Sequence, residues 1–343
     1  MTQRRLGFLL VASLAVLALA IWVAHRQSGS GATSAGEAVL PGLTAALNTV
    51  TEVRLTGAGG EHTTLERGAK RWMVRERGYP ADTGKLRKLL IDLGDLKIIQ
   101  RKTRLAQNYP ILGVQNVTSP KADGSRVDIV TPARTWSLIV GHTADGSDCY
   151  VRVVGHKQSL LVSPLVMVDA KPAQWLDPII LDLPQRRVSE IEERPARGPD
   201  FEVTRAKPAQ AHFTVHGIPP GRKLASAGAA DEMASALSNL TLSDVRRATA
   251  PAQGVHLSRA VFKTFGGLEI EVTGYKTSKG GKHYIAVAAH GSGKKAGPRA
   301  ARIDARVQGW EYRIAGYRYQ EIFQPLSGLL APLSSHHASH RRP

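Results

Sequence analysis

Two stretches of the chain alternate hydrophobic and polar positions in the same order. The first opens with a strand-like run at residues 50–55 and the second with one at residues 188–191. Each continues with two more short runs, an apolar-faced helix, a strand meander and a closing segment that begins with tryptophan. Helical crossovers between successive strands are missing. The pattern therefore predicts an α+β fold of two tandem, duplicated, mainly antiparallel sheet units, each with one principal helix.

The principal helix of the first unit is indicated by the spacing of its leucines. They recur at i, i+3, i+4 and i+7, which is one continuous apolar stripe: Leu86, Leu89, Leu90 and Leu93. Asp82 precedes this stripe and is suited to cap the helix. The matching helix of the second unit is predicted over residues 233–240, and a terminal helix over residues 317–330.

A nearly constant offset relates the two stretches. Ser125 corresponds to Ser258 and Trp175 to Trp310, so the offset changes only from 133 to 135 residues between these pairs. The segment that starts at Pro184 is the expected boundary. We therefore expect the two repeats to occupy residues 44–184 and 185–332.

The N-terminal segment is predicted to be a membrane anchor. Residues 6–24 carry no charge and would span about 28 Å as a helix, close to the thickness of the hydrocarbon core. Residues 1–26 are then a cytoplasmic tip and transmembrane helix, because Arg4 and Arg5 favour a cytoplasmic N-terminus. A cleaved signal peptide, with a small-x-small site at residues 18–20, is the alternative.

Three further expectations concern the linker, the tail and the location of the protein. Residues 27–43 form a flexible linker, because they are rich in Gly, Ser and Ala. Residues 333–343 are polar and form a disordered tail. The bulk of the protein lies in the periplasm on a single-pass inner-membrane anchor, so nucleic acid is not an expected partner.

The charge balance is strongly basic, with 46 Lys and Arg against 28 Asp and Glu and a net charge of +18. Such a surface favours lipid headgroups or acidic envelope polymers. Residues 272–303 contain no acid and accumulate the candidate anion-binding residues: Lys276, Lys279, Lys282, Lys294, Lys295, Arg299 and Arg302. Their lysines lie mostly in two glycine-rich loops at opposite ends of one predicted strand, so solvated hairpin loops are the alternative interpretation.

Catalytic, cofactor and metal sites are not expected. The chain lacks a G-x-S-x-G motif, and residues 291–295 depart from the phosphate-loop pattern. Asp145 and Gly146 indicate a hairpin turn rather than a cation loop. Cys149 is the single cysteine and is predicted to be a small apolar core residue. The histidines near the C-terminus are predicted to belong to a solvated tail.

The chain contains a set of short motifs in this order: the N-terminal anchor, Trp72-Met-Val, Tyr79-Pro80, the helix at residues 86–96, Tyr150-Val-Arg, Leu160-Leu-Val and Trp175-Leu-Asp. In these the chain resembles the bacterial family known as domain of unknown function 4340, and the first unit carries the likeness best. The resemblance implies an envelope protein, since some members are associated with ABC transporters of the gliding-motility type. It brings no catalytic residues.

The expected function is therefore a non-catalytic, membrane-anchored periplasmic accessory or scaffold protein. Its expected partner is an ABC-transporter-like or other envelope membrane complex. The alternative is a binding module that recognises an anionic envelope polymer or lipid headgroup through the basic loops. An envelope hydrolase with an unrecognised site is a third hypothesis.

Overall fold

The computed structural model describes residues 36–249, 256–277 and 281–332. The chain divides into two compact units, one ending at Trp175 and the next beginning at Leu176. Strands in both units pair antiparallel, with a few helices between them, so the α+β class is confirmed. The predicted anchor, most of the linker and the tail lie outside the described residues. No helix in the described ranges has the length and hydropathy that a membrane span requires.

The first unit is built on one nine-stranded sheet. Its strands are β1 Glu52–Gly57, β2 His62–Arg67, β3 Trp72–Val74, β4 Tyr79–Pro80, β5 Lys97–Arg101, β6 Ser125–Val130, β7 Thr135–Thr143, β8 Cys149–Val153 and β9 Ser159–Ser163. Its helices are α1 Leu43–Ala46, α2 Thr83–Asp95 and α3 Tyr109–Leu112, with 3-10 turns at Leu47–Thr49, Ala106–Asn108 and Pro172–Trp175. The strand order is β4-β3-β2-β1-β6-β7-β8-β9-β5.

The second unit has an eight-stranded sheet and a separate two-stranded pair. Its strands are β10 Ile179–Leu181, β11 Val188–Arg194, β12 Phe201–Thr204, β13 Thr214–His216, β14 Leu240–Thr241, β15 Asp244–Arg247, β16 Ser258–Thr264, β17 Leu268–Lys276, β18 His283–Gly291 and β19 Trp310–Ile314. Its helices are α4 Asp231–Ser235, α5 Gly293–Val307, α6 Gly316–Ile322 and α7 Leu326–Leu329, with a 3-10 turn at Gln185–Arg187.

The strand orders of the two sheets agree element for element. The second sheet runs β13-β12-β11-β16-β17-β18-β19-β15, and the first runs β3-β2-β1-β6-β7-β8-β9-β5 with β4 added at its outer edge. β5 in the first unit and β15 in the second precede the meander in the chain and pair at its far edge, with β9 and β19 respectively. β10 and β14 form the separate pair.

Helix α2 forms where the leucine spacing predicts it. Leu86 and Leu93 are almost fully buried, and the Asp82 carboxylate accepts a hydrogen bond from the Lys85 amide at 2.9 Å. A capped N-terminus and one apolar face are both local properties of the sequence. The prediction for this helix is confirmed.

The helix predicted over residues 233–240 is wrong in extent. Helix α4 ends at Ser235, and Leu240 begins strand β14. Asn239 adopts a left-handed backbone with φ of 47°, and its amide donates to the Asp182 carboxylate at 2.9 Å. This reversal ends the helical turn and directs Leu240 to pair with β10.

The glycine-rich segment that was predicted to be a loop is instead the start of the longest helix in the described residues. Helix α5 contains 15 residues and begins at Gly293. A Cβ atom on Gly291 would lie 2.7 Å from the Ala296 carbonyl oxygen. The glycine in β18 therefore permits the close approach of α5, and the expectation of a glycine-rich loop is wrong from Gly293 onwards.

The predicted terminal helix over residues 317–330 is two short helices. Helix α6 ends at Ile322 and α7 begins at Leu326, with Pro325 in an extended conformation between them. Proline has no amide hydrogen and disfavours a helical residue before it, which accounts for the interruption.

Candidate functional site

Helix α5 presents a stripe of positive side chains. Four cations recur at i, i+4, i+7 and i+11, which places them on one side of the helix: Lys295, Arg299, Arg302 and Arg306. The buried face of the same helix is formed by small residues, Ala296 and Ala300, followed by Val307. The stripe therefore runs along the border of the face that packs on the sheet.

A second wall of cations is formed by the Gln185–Arg187 turn, which carries Arg186 and Arg187. The backbone of this turn is bonded to Arg205, which is 6% exposed. The Arg205 Nη2 atom donates to the carbonyl oxygens of Gln185 at 2.8 Å and of Val188 at 2.9 Å. A buried guanidinium group therefore fixes the backbone that carries the two exposed arginines.

The hairpin between β16 and β17 joins the two walls. The Phe265 amide donates to the Arg187 carbonyl oxygen at 3.1 Å, and the Ser292 amide donates to the Gly267 carbonyl oxygen at 3.3 Å. The hairpin tip is thus bonded to the arginine turn on one side and to the residue before α5 on the other.

Two cavities lie along α5: one of about 480 Å³ between the two walls, and one of about 250 Å³ that residues 181–183 line in place of the arginine turn. Arg299 and Leu268 line both, so we treat them as one groove. The groove is defined by its cations, its one carboxylate and its apolar floor: Arg186, Arg187, Lys295, Arg299, Arg302 and Arg306, then Asp182, with Phe265, Leu268 and Ile270. We call it the arginine groove.

Charge in the arginine groove is poorly compensated. Burial lowers the pKa of Arg299, and the neighbouring Arg187 and Arg302 lower it further, while Asp182 alone acts to raise it. None of these three arginines forms an ion pair with a carboxylate in the part of the chain that the structure describes. The Asp182 carboxylate is already bonded to the Asn239 amide.

The N-terminus of α5 adds donors to one end of the groove. Ser292 makes no side-chain capping bond, and the first turn contains no acidic residue. Lys294 and Lys295 stand there instead, close to the positive end of the helix dipole. The first amides and the lysines therefore favour the same kind of ligand, an anion.

The seven predicted anion-binding residues do not form one surface. Lys295, Arg299 and Arg302 lie in the arginine groove, and Lys294 is exposed beside it. Lys276 and Lys282 lie at the turn between β17 and β18, at the opposite end of that hairpin from Gly291. Lys279 is outside the described residues. The described lysines therefore lie at opposite ends of β18, one group at a turn and the other at the start of α5.

Three arginines of the groove were missed. Arg306 continues the four-residue spacing of the α5 stripe, so the periodicity of the sequence contained the signal. Arg186 and Arg187 lie more than 100 residues earlier in the chain. Only the tertiary packing of their turn against the hairpin tip places them here.

Two other titratable side chains, His142 and Cys149, have raised pKa values. The His142 Nε2 atom lies 2.7 Å from the Asp123 carboxylate and Nδ1 lies 3.2 Å from the Ile111 carbonyl oxygen. Both partners accept hydrogen bonds, which favours the imidazolium form and raises the pKa of His142. Cys149 is buried, as predicted, and burial raises the pKa of its thiol. Among the described residues no group of three His, Cys, Asp or Glu side chains is placed to hold a metal ion.

The chain was compared with known families, curated proteins and solved structures. Residues 72–255, more than half of the chain, match the family described as Domain of unknown function (DUF4340). The chain belongs to the DUF4340 family. The DUF4340 match begins at β3 and extends beyond β15, so it includes parts of both units rather than the first alone. No curated protein and no solved structure matches.

Proposed function

We propose that this DUF4340 protein is a non-catalytic, membrane-anchored accessory protein of the cell envelope whose second unit binds an anionic group in the arginine groove. The observation that carries the binding role is that Arg187, Arg299 and Arg302 line one groove and that none of them is ion-paired with a carboxylate in the described part of the chain. Neighbouring guanidinium groups repel one another, and a bound anion replaces that repulsion with attraction. Their planar donors suit phosphate or carboxylate oxygens.

When no anion is bound, the stripe of positive side chains destabilises helix α5. Like charges at i and i+4 on a helix destabilise it by about 0.2–0.5 kcal/mol per pair. Lys295 and Arg299 form such a pair, as do Arg302 and Arg306. Lysines in the first turn are also unfavourable beside the helix dipole. A stripe that weakens its own helix supports a binding role over a merely solvated surface.

The anchor, the periplasmic location and the membrane partner are parts of the same proposal. The uncharged run over residues 6–24 supports a single-pass helix, and the basic balance of the chain suits an anionic membrane surface. An ABC-transporter-like complex is the proposed partner, suggested by the motif resemblance described above.

We also infer that the two units arose by duplication. The common strand order supports this inference, because eight strands follow one another around both sheets in the same sequence. The helices support it only in part. Helix α2 lies before the fifth strand of its unit, whereas the longest helix of the second unit, α5, lies between β18 and β19.

The anion site is tested with the full chain in a non-ionic detergent and pyrophosphate as the probe. Changing Arg187, Arg299 and Arg302 together to Gln should weaken pyrophosphate binding by more than about tenfold, because charged hydrogen bonds are lost. Isothermal titration calorimetry measures the affinity. The matched control changes Lys223, Lys276 and Lys282 to Gln, which removes the same formal charge at residues that do not line the groove. Equal weakening in both variants would reduce the effect to overall charge and contradict the site.

A further inference from the structure

The larger part of the arginine groove is amphiphilic. Its cavity of about 480 Å³ has arginine and lysine at the rim and apolar side chains at the floor, formed by Pro208, Phe265, Leu268 and Ala296. Phe265 is 40% exposed. Inorganic anions and acidic sugar polymers offer no hydrocarbon to cover such a floor. The apolar contacts point to a ligand with both a charged group and a chain.

The exposure of Phe265 is fixed by the surrounding backbone. Its amide bonds to the Arg187 carbonyl oxygen at 3.1 Å, and the Gly267 amide closes the turn by donating to the Thr264 carbonyl oxygen at 3.0 Å. The Arg205 guanidinium lies 5.9 Å from the centre of the Phe265 ring on the protein side. The ring is therefore held next to the cations of the groove with a large part of its surface uncovered.

We propose that the anion of the arginine groove is the headgroup phosphate of an anionic membrane lipid, and that the start of its hydrocarbon chains covers Phe265 and Leu268. This rests on the anion site proposed above and adds the chemical class of its ligand. The phosphate lies between Arg187 and Arg299, which line the same cavity. The chains extend over the floor towards the hairpin tip. Aromatic side chains bordered by cations are typical of surfaces that contact lipid.

The proposal predicts that hydrocarbon strengthens binding of the same phosphate. The full chain in non-ionic detergent is titrated with glycerol 3-phosphate, dihexanoylphosphatidic acid and dihexanoylphosphatidylcholine, and the shift in melting temperature is recorded. Phosphatidic acid should reach half-saturation at a concentration about tenfold or more below that of glycerol 3-phosphate, because its chains bury apolar surface. Phosphatidylcholine, whose headgroup has no net charge, should produce no shift.

Two variants separate the contribution of the hydrocarbon chains to binding from that of the phosphate. Phe265→Ser should remove most of the advantage of phosphatidic acid and leave glycerol 3-phosphate binding unchanged. The double variant R299Q/R302Q should remove binding of both phosphates. Phe265 is at the surface, so its change should leave the melting temperature of the free protein nearly unaltered.

The outcomes distinguish the two proposals. Equal half-saturation by the two phosphates would overturn the lipid assignment and leave the anion site standing. Failure of both phosphates and of pyrophosphate would overturn the anion site itself. An advantage of phosphatidic acid that persists in Phe265→Ser would show that the chains lie elsewhere and would refute the proposed floor. Tight binding of an acidic polysaccharide, without binding of phosphatidic acid, would assign the groove to a polymer instead.

Discussion

At the scale of single residues, two neighbours on β11 show how strongly the environment decides the state of a carboxyl group. Glu193 is fully buried, neither of its carboxylate oxygens has a hydrogen-bond partner, and burial raises its pKa to about 9. Glu192 points to the other face of the strand, where a hydrogen bond from Lys263 lowers its pKa. One residue is therefore neutral at pH 7 and the next is charged.

Aromatic side chains in and near helix α6 cover the core around Glu193. The Tyr319 ring of α6 packs at a tilt against the rings of His283 and Phe323, with ring centres 4.7 Å apart in each pair. A Cβ atom on Gly274 would lie 2.3 Å from the Phe323 ring, so this glycine makes room for the aromatic cover. Burial of the Tyr319 hydroxyl raises its pKa, and the nearby Glu193 acts in the same direction. Ionisation of Glu193 would place a charge beneath this cover.

Glu193→Gln should make the protein more stable at neutral and alkaline pH. The folded pKa of Glu193, about 9, lies above its ordinary value of 4.5, so the folded state binds more protons between these values. Its contribution to the free energy of unfolding therefore falls as pH rises from about 5 to 9, by up to about 1.4 kcal/mol per pH unit. The difference between the variant and the natural chain in urea unfolding at pH 5, 7 and 9 should widen steadily. A constant difference across this range would show that Glu193 does not titrate there.

Glu192→Gln is a control, because the stability that Glu192 contributes changes with pH in the opposite direction. Its folded pKa is lowered by Lys263, so the stability it contributes is present above its ordinary pKa and lost as pH falls through the folded value. This variant should be less stable than the natural chain at pH 7 and approach it in acid. The side chain is partly exposed, so solvent screens the effect.

At the scale of elements, the packing of α3 on the first sheet depends on glycine. A Cβ atom on Gly141 would lie 2.1 Å from the Leu112 carbonyl oxygen, and one on Gly124 would lie 2.2 Å from the Gly113 carbonyl oxygen. Both contacts involve backbone atoms, which cannot rotate away. A helix of four residues is not stable alone, so α3 exists only because the sheet accepts it at this distance.

Gly141→Ala should destabilise the protein by about 1–3 kcal/mol, the usual cost of overpacking a close contact. Thermal and urea unfolding of the full chain in detergent measure the loss. Gly59→Ala is the matched control, because nothing lies within 4 Å of a Cβ atom there. Equal stability of both variants would mean that α3 moves away without cost.

The helices also show which elements the sequence could predict. Helix α2 was predictable because its leucine stripe and its Asp82 cap are local signals. Helix α5 was not, because its buried face consists largely of alanine and its start is rich in glycine. Small residues suggest flexibility in a sequence, yet here they allow a helix to lie close to β18. The arginine groove was accordingly found only in part, since its second wall depends on how distant segments pack.

At the scale of the whole molecule, the predicted accessory role requires a membrane partner that is recognised by the α+β units. In-cell crosslinking of the tagged full chain, followed by purification and mass spectrometry, should capture transporter permease or ATPase subunits. A variant with residues 6–24 replaced by an unrelated anchor should capture the same subunits, because the contact is expected on the α+β units. Capture by the natural anchor alone would place recognition in the membrane helix, and capture of no membrane protein by either chain would contradict the accessory role.

The common strand order has a consequence for how the chain reaches its native state. Two sheets of the same topology give each meander strand two places that it could fill, one in its own unit and one in the other. Strands of one unit that remain unpaired are exposed to this exchange while the other unit is still forming. Differences between the copies, such as the extra β4 and the placement of α5, make the wrong place fit less well. Sequence divergence after a duplication would then protect folding fidelity: a chain whose second unit was changed back towards the first should refold with lower yield.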